Sequence, residues 1–330
     1  MLALLLLGGA AGLRTPSRAL SARLPRARIV AATELAPELD VAAAPGLLQR
    51  DRYVASNQFA VRVGSEAKFE ARWANRKSRL ATLQGFRYFN LMRRVSLDDS
   101  ELDAADDEPG YVSLTIWETK EDFNTWRTGD AFKEAHGGTS IGAFLSAMVS
   151  SLRVLKGAPR PVFFDGLMQL STVPTTLPET KGGWRVVEAD GTNKLPAEAF
   201  VACNRFAVLP GMEAQFEKRW SSRESKLDDL DGFISFSMLR RDFGNKGHGG
   251  APAGAEFNYQ SCTVWRDRAA FQSWRDGQAF RNAHGDKAGR PAAEGVAAQE
   301  APKPPAPMWA APPKPAFYEA VLVLSSPQGA

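Results

Sequence analysis

The same twenty-residue motif occurs twice in this chain of 330 residues. It reads Trp-x(5)-Phe-x(2)-Trp-x(5)-Phe-x(2)-Ala-His and runs from Trp117 to His136 and again from Trp265 to His284. The chain has only one other histidine, His248. Because histidine is the commonest protein ligand of transition metals, the motif places a candidate metal ligand at one equivalent position in each half.

The repetition extends well beyond this motif. Asn57, Trp73 and Gly85-Phe86 return 147 positions later as Asn204, Trp220 and Gly232-Phe233, and from Trp117 onward the displacement is 148. The displacement changes by only one residue between Asn57 and His136, which indicates an almost intact duplication. A period this long predicts two copies of a domain rather than a solenoid.

Composition and charge narrow the class of protein. An apolar content of 44% with 10% aromatic residues is sufficient for two ordinary hydrophobic cores. The formal charge of +4 arises in residues 1–33, which hold five arginines and no acidic residue, and the rest of the chain has 36 basic against 37 acidic residues. Nucleic acid is therefore not expected as a partner. The two cysteines, Cys203 and Cys262, are too few for a disulfide framework.

The N-terminal segment has the composition of a targeting peptide. Residues 1–13 form an apolar run that is too short to span a bilayer, and residues 14–30 are rich in arginine, contain serine and lack acidic residues. We expect 1–33 to direct the protein to a plastid; the mitochondrion and the secretory pathway are the alternatives. No membrane partner is expected.

Hydrophobic periodicity alternates in the order βαββαβ within each half. It predicts strands at 53–63, 85–95, 111–117 and 161–173 and helices at 65–83 and 118–132, with a second set of elements at 201–209, 211–228, 232–241, 257–265, 267–283 and 316–325. The predicted fold class is α+β, with two ferredoxin-like domains at 51–175 and 198–328.

The remaining segments are predicted to connect these domains. Residues 34–50 are expected to be a disordered linker and 176–197 a second linker, and the Ala/Pro/Gly-rich stretch 285–315 a mobile insertion. Each predicted sheet has one face that its own helices leave bare. We therefore expect the two halves to pack against each other as a monomeric, intramolecular pseudo-dimer.

Three features occur together in each half: an asparagine in the first strand, Gly-Phe at the start of the second strand and Trp-x(9)-His at the end of the second helix. In this combination the chain resembles the IsdG-type haem-degrading enzymes of the antibiotic biosynthesis monooxygenase (ABM) superfamily. The resemblance implies a haem-degrading monooxygenase in which haem is both cofactor and substrate. It implies that His136 and His284 ligate the iron, and that Asn57 and Trp126, with Asn204 and Trp274 in the second half, line the distal side of the haem. It further implies that the halves form a central β-barrel.

These residue types suit that chemistry. A single axial histidine leaves one iron position open for dioxygen. An asparagine amide is a neutral hydrogen-bond donor, and a tryptophan can act as a rigid wedge against a planar ring. The reaction also requires electrons from a reductase or a small-molecule reductant. Gly129 and Gly277 lie between each Trp and His, so we expect a helix break there that turns both side chains toward one pocket.

Plainer interpretations compete with this one. The histidines could cap helix C-termini, the tryptophans could be core residues, and the asparagines could satisfy edge backbone groups. Two other functions also remain open. One is a haem-binding carrier or sensor without turnover, and the other is a cofactor-free ABM monooxygenase acting on a quinol or polyketide-like aromatic.

Overall fold

The protein was analysed as a computed structural model. The structure describes residues 45–76, 79–97, 109–135, 153–172, 180–181, 184–185, 187–223, 226–244, 257–277, 280 and 308–326. Several of the predictions fall outside these residues: the targeting peptide 1–33 and the three histidines His136, His248 and His284.

The first half has the predicted order βαββαβ. Its elements are β1 (Arg52–Phe59), α1 (Glu66–Ala74), β2 (Phe86–Val95), β3 (Tyr111–Trp117), α2 (Lys120–Thr128), α3 (Asp130–Ala135) and β4 (Arg160–Ser171). The helix predicted at 65–83 is too long. α1 ends at Ala74, and Leu80–Thr82 form a separate 3₁₀ turn whose leucine continues the helical spacing of apolar residues without belonging to the helix.

The second half repeats this order after a short hairpin. The hairpin consists of β5 (Thr180–Lys181) and β6 (Trp184–Arg185), and the half itself of β7 (Ala199–Phe206), α4 (Glu213–Ser221), β8 (Phe233–Arg241), β9 (Tyr259–Trp265), α5 (Arg268–Asp276) and β10 (Lys314–Ser325). Equivalent helices begin in the same way. The Thr119 hydroxyl accepts from the Asp122 N–H at the start of α2, and the Asp267 carboxylate accepts from the Ala270 N–H at the start of α5.

The eight long strands form one closed antiparallel barrel in the order β1-β3-β2-β10-β7-β9-β8-β4. The last strand of each half pairs with the second strand of the other, so β10 lies beside β2 and β4 lies beside β8. The two sheets are thus joined edge to edge, in addition to facing each other across the interior. Closure leaves no long strand with an unpaired edge, which removes the edge-satisfying role considered for Asn57 and Asn204.

The barrel interior is an apolar core that both halves build. Alternate residues of each strand point inward, among them Val54, Leu114, Val201 and Leu239. Two inward positions of the second half carry the cysteines. Cys203 and Cys262 are cross-strand neighbours with free thiols and sulfur atoms 2.9 Å apart. The neighbouring thiol and burial raise the pKa of Cys203, which favours the neutral form.

A buried carboxylate ties the first half to the chain that leads into the second. The side chain of Glu70 on α1 is 0% exposed. It accepts hydrogen bonds from the Tyr111 hydroxyl at 2.6 Å, the Arg93 guanidinium at 2.8 Å and the Leu195 N–H at 2.5 Å. Leu195 precedes β7, so residues of both halves satisfy this one carboxylate.

The second half has the reciprocal arrangement. Glu217 on α4 is also 0% exposed and accepts from the Tyr259 hydroxyl at 2.6 Å, Arg240 at 2.9 Å and the Leu48 N–H at 2.5 Å. Leu48 precedes β1. Each half therefore extends the segment before its first strand, here called its strap, across the first helix of the other half. The straps contain Leu48 and Leu195, which are separated by the same 147 positions as other equivalent residues.

The arginines extend both networks across the barrel seams. Arg93 also donates to Glu319 on β10 at 2.6 Å, and Arg240 donates to Asp165 on β4 at 3.1 Å. Burial and the hydrogen-bonded carboxylate raise the pKa of the Tyr111 hydroxyl, which therefore stays a protonated donor. Each arginine is held between a carboxylate of its own half and one of the other half.

These contacts correct two predictions about the connecting segments. The disordered linker predicted at 34–50 is wrong for residues 45–50, because Leu48 is fixed by the buried Glu217. The mobile insertion predicted at 285–315 is wrong for 308–315. There, Met308 is 8% exposed and accepts the Leu209 N–H at 2.9 Å, and Trp309 pairs with Val208.

We expect Glu70→Gln and Glu217→Gln each to destabilise the protein by about 3 kcal/mol, because each removes one of the two carboxylates that hold a partly buried arginine and replaces a buried acceptor of three hydrogen bonds with an amide. Urea unfolding followed by circular dichroism would measure this change. The control is Asp231→Asn, which removes an exposed carboxylate that pairs with Arg266 at 3.0 Å and should leave the unfolding midpoint unchanged. Equal stability of the Glu variants and the control would contradict the proposed role of the straps.

Candidate functional site

A cavity of about 900 Å³ lies in the second half, between the outer face of the barrel and the helices α4 and α5. Asn204 on β7 and Trp274 on α5 both line it, although they are 70 positions apart in the sequence. Asn204 belongs to the alternate set of β7 residues that includes Phe200 and Phe206, whose side chains pack under the helices. The structure thus brings two of the predicted site residues of this half into one cavity.

Trp274 is held in the cavity wall by other aromatic side chains. Its ring stacks on that of Trp265 with centroids 5.3 Å apart, and it meets Phe280 edge to face at 4.9 Å. Trp265 is fully buried and Trp274 only partly so. The inner tryptophan therefore anchors the outer one, which presents one surface to the cavity.

The first half places Asn57 and Trp126 on equivalent elements. Asn57 lies on β1 and is partly buried, and Trp126 lies on α2 with its ring 5.3 Å from that of Trp117 and 5.1 Å from that of Phe132. Trp126 packs against the continuous hydrophobic core of this half. The geometry of the two tryptophans is thus nearly the same in both halves.

The helix breaks expected between each Trp and His are present. α2 ends at Thr128 with Gly129 in an extended conformation (ψ 175°), and α5 ends at Asp276 with Gly277 extended as well (ψ 167°). A Cβ added at Gly277 would lie 3.0 Å from the Ser273 carbonyl oxygen, so the chain turns here by a close approach that only glycine permits without adjustment. The histidines that follow, His136 and His284, lie outside the described residues.

The cavity lining is aromatic and cationic. Arg223, Lys226 and Arg275 line it, and the described lining residues include no aspartate or glutamate. Arg223 lies 4.1 Å above the Trp220 ring. Burial, together with Arg219, lowers the pKa of Arg223, but a guanidinium remains charged at neutral pH. The lining therefore favours a ligand with flat apolar surface and negative charge.

Sequence reasoning missed these cations and one wall of the cavity. Arg223 repeats Arg76 at the displacement of 147, so the duplication could have identified it. Met168, Gln169 and Leu170 also line the cavity, yet they belong to β4 of the first half. Only the cross-half pairing of β4 with β8 brings them there, and no local sequence pattern encodes that pairing.

Two features are absent from the part of the chain that the structure describes. Among these residues, which exclude all three histidines, no group of three or more His, Cys, Asp or Glu side chains could hold a metal ion. Likewise, none of the described helices has the length and apolar character needed to cross a bilayer.

Two βαββαβ units in tandem, joined in one closed barrel, make this a protein of the ferredoxin-like α+β class. The chain belongs to the antibiotic biosynthesis monooxygenase family, whose pattern matches residues 52–138 and 199–286, more than half of the sequence. The resemblance drawn from the repeated motif is thereby confirmed, including the tandem arrangement.

Individual proteins are also similar to this chain. The chain is 32% identical over 104 residues to a staphylobilin-producing haem oxygenase of Staphylococcus haemolyticus, an alignment that covers 32% of this chain and 91% of that protein. Two solved structures of proposed monooxygenases cover 84% of this chain. One, from Fusobacterium nucleatum, is 9% identical with a TM-score of 0.48 over 96% of its length, and the other, from Lactobacillus acidophilus, is 7% identical with a TM-score of 0.48 over 97%. The family supports a monooxygenase-type activity.

We expect Gly277→Ala to cost about 1 kcal/mol of stability, because the added methyl group meets the Ser273 and Trp274 carbonyl oxygens at 3.0 and 3.2 Å. Gly157→Ala is the control, since a Cβ there meets nothing within 4 Å. Urea unfolding of the two variants would measure the difference. A Gly277→Ala protein as stable as the control would show that the chain does not approach itself closely at this break.

Proposed function

We propose that this protein is a haem-degrading monooxygenase that opens the porphyrin ring with dioxygen and releases the iron. The observation that carries the proposal is that Asn204 and Trp274 line one cavity together with Phe280, which precedes His284 by four positions in the sequence. The similarity to a staphylobilin-producing haem oxygenase supports the same substrate.

The cavity suits haem in size, shape and charge. A volume of about 900 Å³ falls at the upper end of the range for small-molecule pockets. Aromatic side chains supply flat walls, with Trp274, Phe280 and Trp220 among them. The cations Arg223, Lys226 and Arg275 match the two carboxylates that haem carries.

Each chain residue has an assigned part in this proposal. His284 would hold the iron, and His136 is the equivalent residue of the first half. The Asn204 amide would donate a hydrogen bond on the distal side, and Asn57 is its equivalent in the first half. Trp274, braced by the inner Trp265, would press on the ring as a rigid surface, and Trp126 and Trp117 are the equivalent pair of the first half. When bound, haem supplies a redox-active iron that can activate dioxygen.

The reaction needs electrons that this chain does not itself provide. A partner reductase or a small-molecule reductant would deliver them. We further propose that residues 1–33 direct the protein to a plastid, and a fusion of these residues to a fluorescent protein would report their destination.

We expect the His136→Ala/His284→Ala double variant to lose haemin binding, because it removes the proposed iron ligand His284 and its equivalent in the first half. Titration with haemin, followed by the Soret band, would measure binding, and addition of a reductant under air should then bleach that band in the parent protein. His248→Ala is the matched control, since it removes the remaining histidine of the chain and should bind and turn over haem like the parent.

Three results would point elsewhere. Haemin binding without bleaching would favour a carrier or sensor. No haemin binding by the parent protein would contradict the proposal and favour a cofactor-free monooxygenase. Unchanged haemin binding in the His136→Ala/His284→Ala variant would show that the assigned histidines are not the ligands.

A further inference from the structure

The hydrophobic layer under the helices is continuous in the first half and divided in the second. In the first half, a single buried cluster extends from Tyr53 and Trp117 to Phe59 and Trp73. The equivalent residues of the second half form two separate clusters, one around Phe200 and Trp265 and the other around Phe206 and Phe216. Residues of both clusters line the cavity described above, which lies between them.

Equivalent side chains are correspondingly more exposed in the second half. Trp73, Phe89 and Leu80 of the first half are 8%, 2% and 6% exposed. Their counterparts Trp220, Phe236 and Leu227 are only partly buried and line the cavity. Equivalent side chains are therefore buried in the first half and line the cavity in the second.

The strand that crosses from the opposite half explains part of this difference. In the first half, β10 has its bulge at Val321, and both Leu322 and Leu324 are 1% exposed in the core. The strand that crosses into the second half is β4, and its bulge lies between Leu167 and Leu170. The bulge includes Met168, whose φ of 51° is rare for a residue other than glycine.

The displaced bulge changes what the crossing strand contributes. Val321 and Leu322 fill the first half, whereas their counterparts Leu167 and Met168 differ in burial: Leu167 is 0% exposed and Met168 is partly buried in the cavity wall. The bulge of β4 thus lies one residue later than that of β10, and Met168 stands where β10 places the core residue Leu322.

Contacts on the helical side also differ between the halves. In the first half, Arg76 donates to the Ala135 carbonyl oxygen at 2.8 Å, and Arg79 binds both carboxylate oxygens of Glu134 at 2.8 and 3.0 Å. These contacts hold the C-terminal end of α3 against the segment after α1. At the positions of Arg79 and Glu134 the second half has Lys226 and Asn282. Because an amide carries no charge, this ion pair cannot form there.

We propose that the second half alone binds the planar, anionic ligand of this protein and that the first half is a closed copy whose role is to complete the barrel. Taking haem as that ligand rests on the function proposed above, whereas the difference between the halves rests on their packing. The ligand is then an anion because three cations, Arg223, Lys226 and Arg275, line the cavity.

Ala55 and Ala202 provide a matched pair of variants to test this. They are equivalent residues on β1 and β7, and Ala55 is 7% exposed in the continuous core whereas Ala202 lines the cavity. Ala55→Phe should overpack the core and lower the melting temperature by about 5 °C, and Ala202→Phe should change it by less than about 1 °C. If Ala55→Phe does not fold, Ala55→Val and Ala202→Val give the same comparison with a smaller change.

Haemin titration of the same variants tests where the ligand binds. The parent protein should bind one equivalent per chain, and Ala202→Phe should bind at least roughly tenfold more weakly because the new ring occupies the cavity. Ala55→Phe, or Ala55→Val, should keep one equivalent. Two equivalents in the parent, or equal loss in both members of the pair, would overturn the proposal.

A failure of the haem hypothesis is distinguishable from a failure of this inference. If the parent protein binds no haemin, the planar aromatic anion 8-anilinonaphthalene-1-sulfonate replaces it as the probe. Loss of dye fluorescence in Ala202→Phe but not in the first-half variant would still support a single ligand cavity in the second half. Equal fluorescence in both variants, or equal melting temperatures, would contradict it.

Discussion

The buried glutamate of each half is the contact on which the rest of the structure depends. Glu70 and Glu217 are 0% exposed, and a carboxylate in such a position is tolerated only when its hydrogen bonds and charge are satisfied. Each obtains a tyrosine and an arginine from its own half and a leucine N–H from the strap of the other. Neither half can therefore satisfy its own carboxylate alone, which couples the assembly of the barrel to the passage of both straps.

This coupling leaves the outer layer of each half free to diverge. The barrel interior and the carboxylate networks require both copies, so these regions are equivalent in the two halves. The layer between sheet and helices is needed only for local packing. In the first half it is filled by Leu322 and Leu324, and Arg79 and Glu134 form an exposed ion pair between α3 and the segment after α1. In the second half it encloses a cavity with a cationic lining, and the bulge at Met168 forms part of its wall.

The sequence was sufficient for the elements and insufficient for the contacts between distant ones. The duplication predicted the βαββαβ order, and the glycines at 129 and 277 predicted the helix breaks, because both features are local. Asn204 and Trp274 were predicted as site residues from the resemblance of both copies to a known family, and they line one cavity. The Phe-Glu-x-Arg-Trp segments at Phe69 and Phe216 repeat as well, but the partner of a buried carboxylate cannot be inferred without the fold.

Other features followed from relationships that sequence periodicity does not express. Leu195 follows Gly-Thr-Asn-Lys, and Leu48 comes shortly after an Ala-, Pro- and Gly-containing stretch, so their segments had the composition of linkers. The contribution of Met168 to the cavity of the other half depends on the register of β4 against β8. The difference in packing between two nearly identical motifs accompanies a one-residue displacement of the bulge and a Glu-to-Asn exchange outside the motif's repeated aromatic and histidine positions.

A crystal structure of the protein grown with haemin would test the central claim most directly, because the anomalous scattering of iron locates the metal independently of the surrounding side chains. The account predicts one iron per chain, in the second half, with the porphyrin between Asn204 and Trp274 and bound by His284. The first half should be filled by its own side chains. An iron atom in the first half, or haemin bound outside both halves, would contradict it.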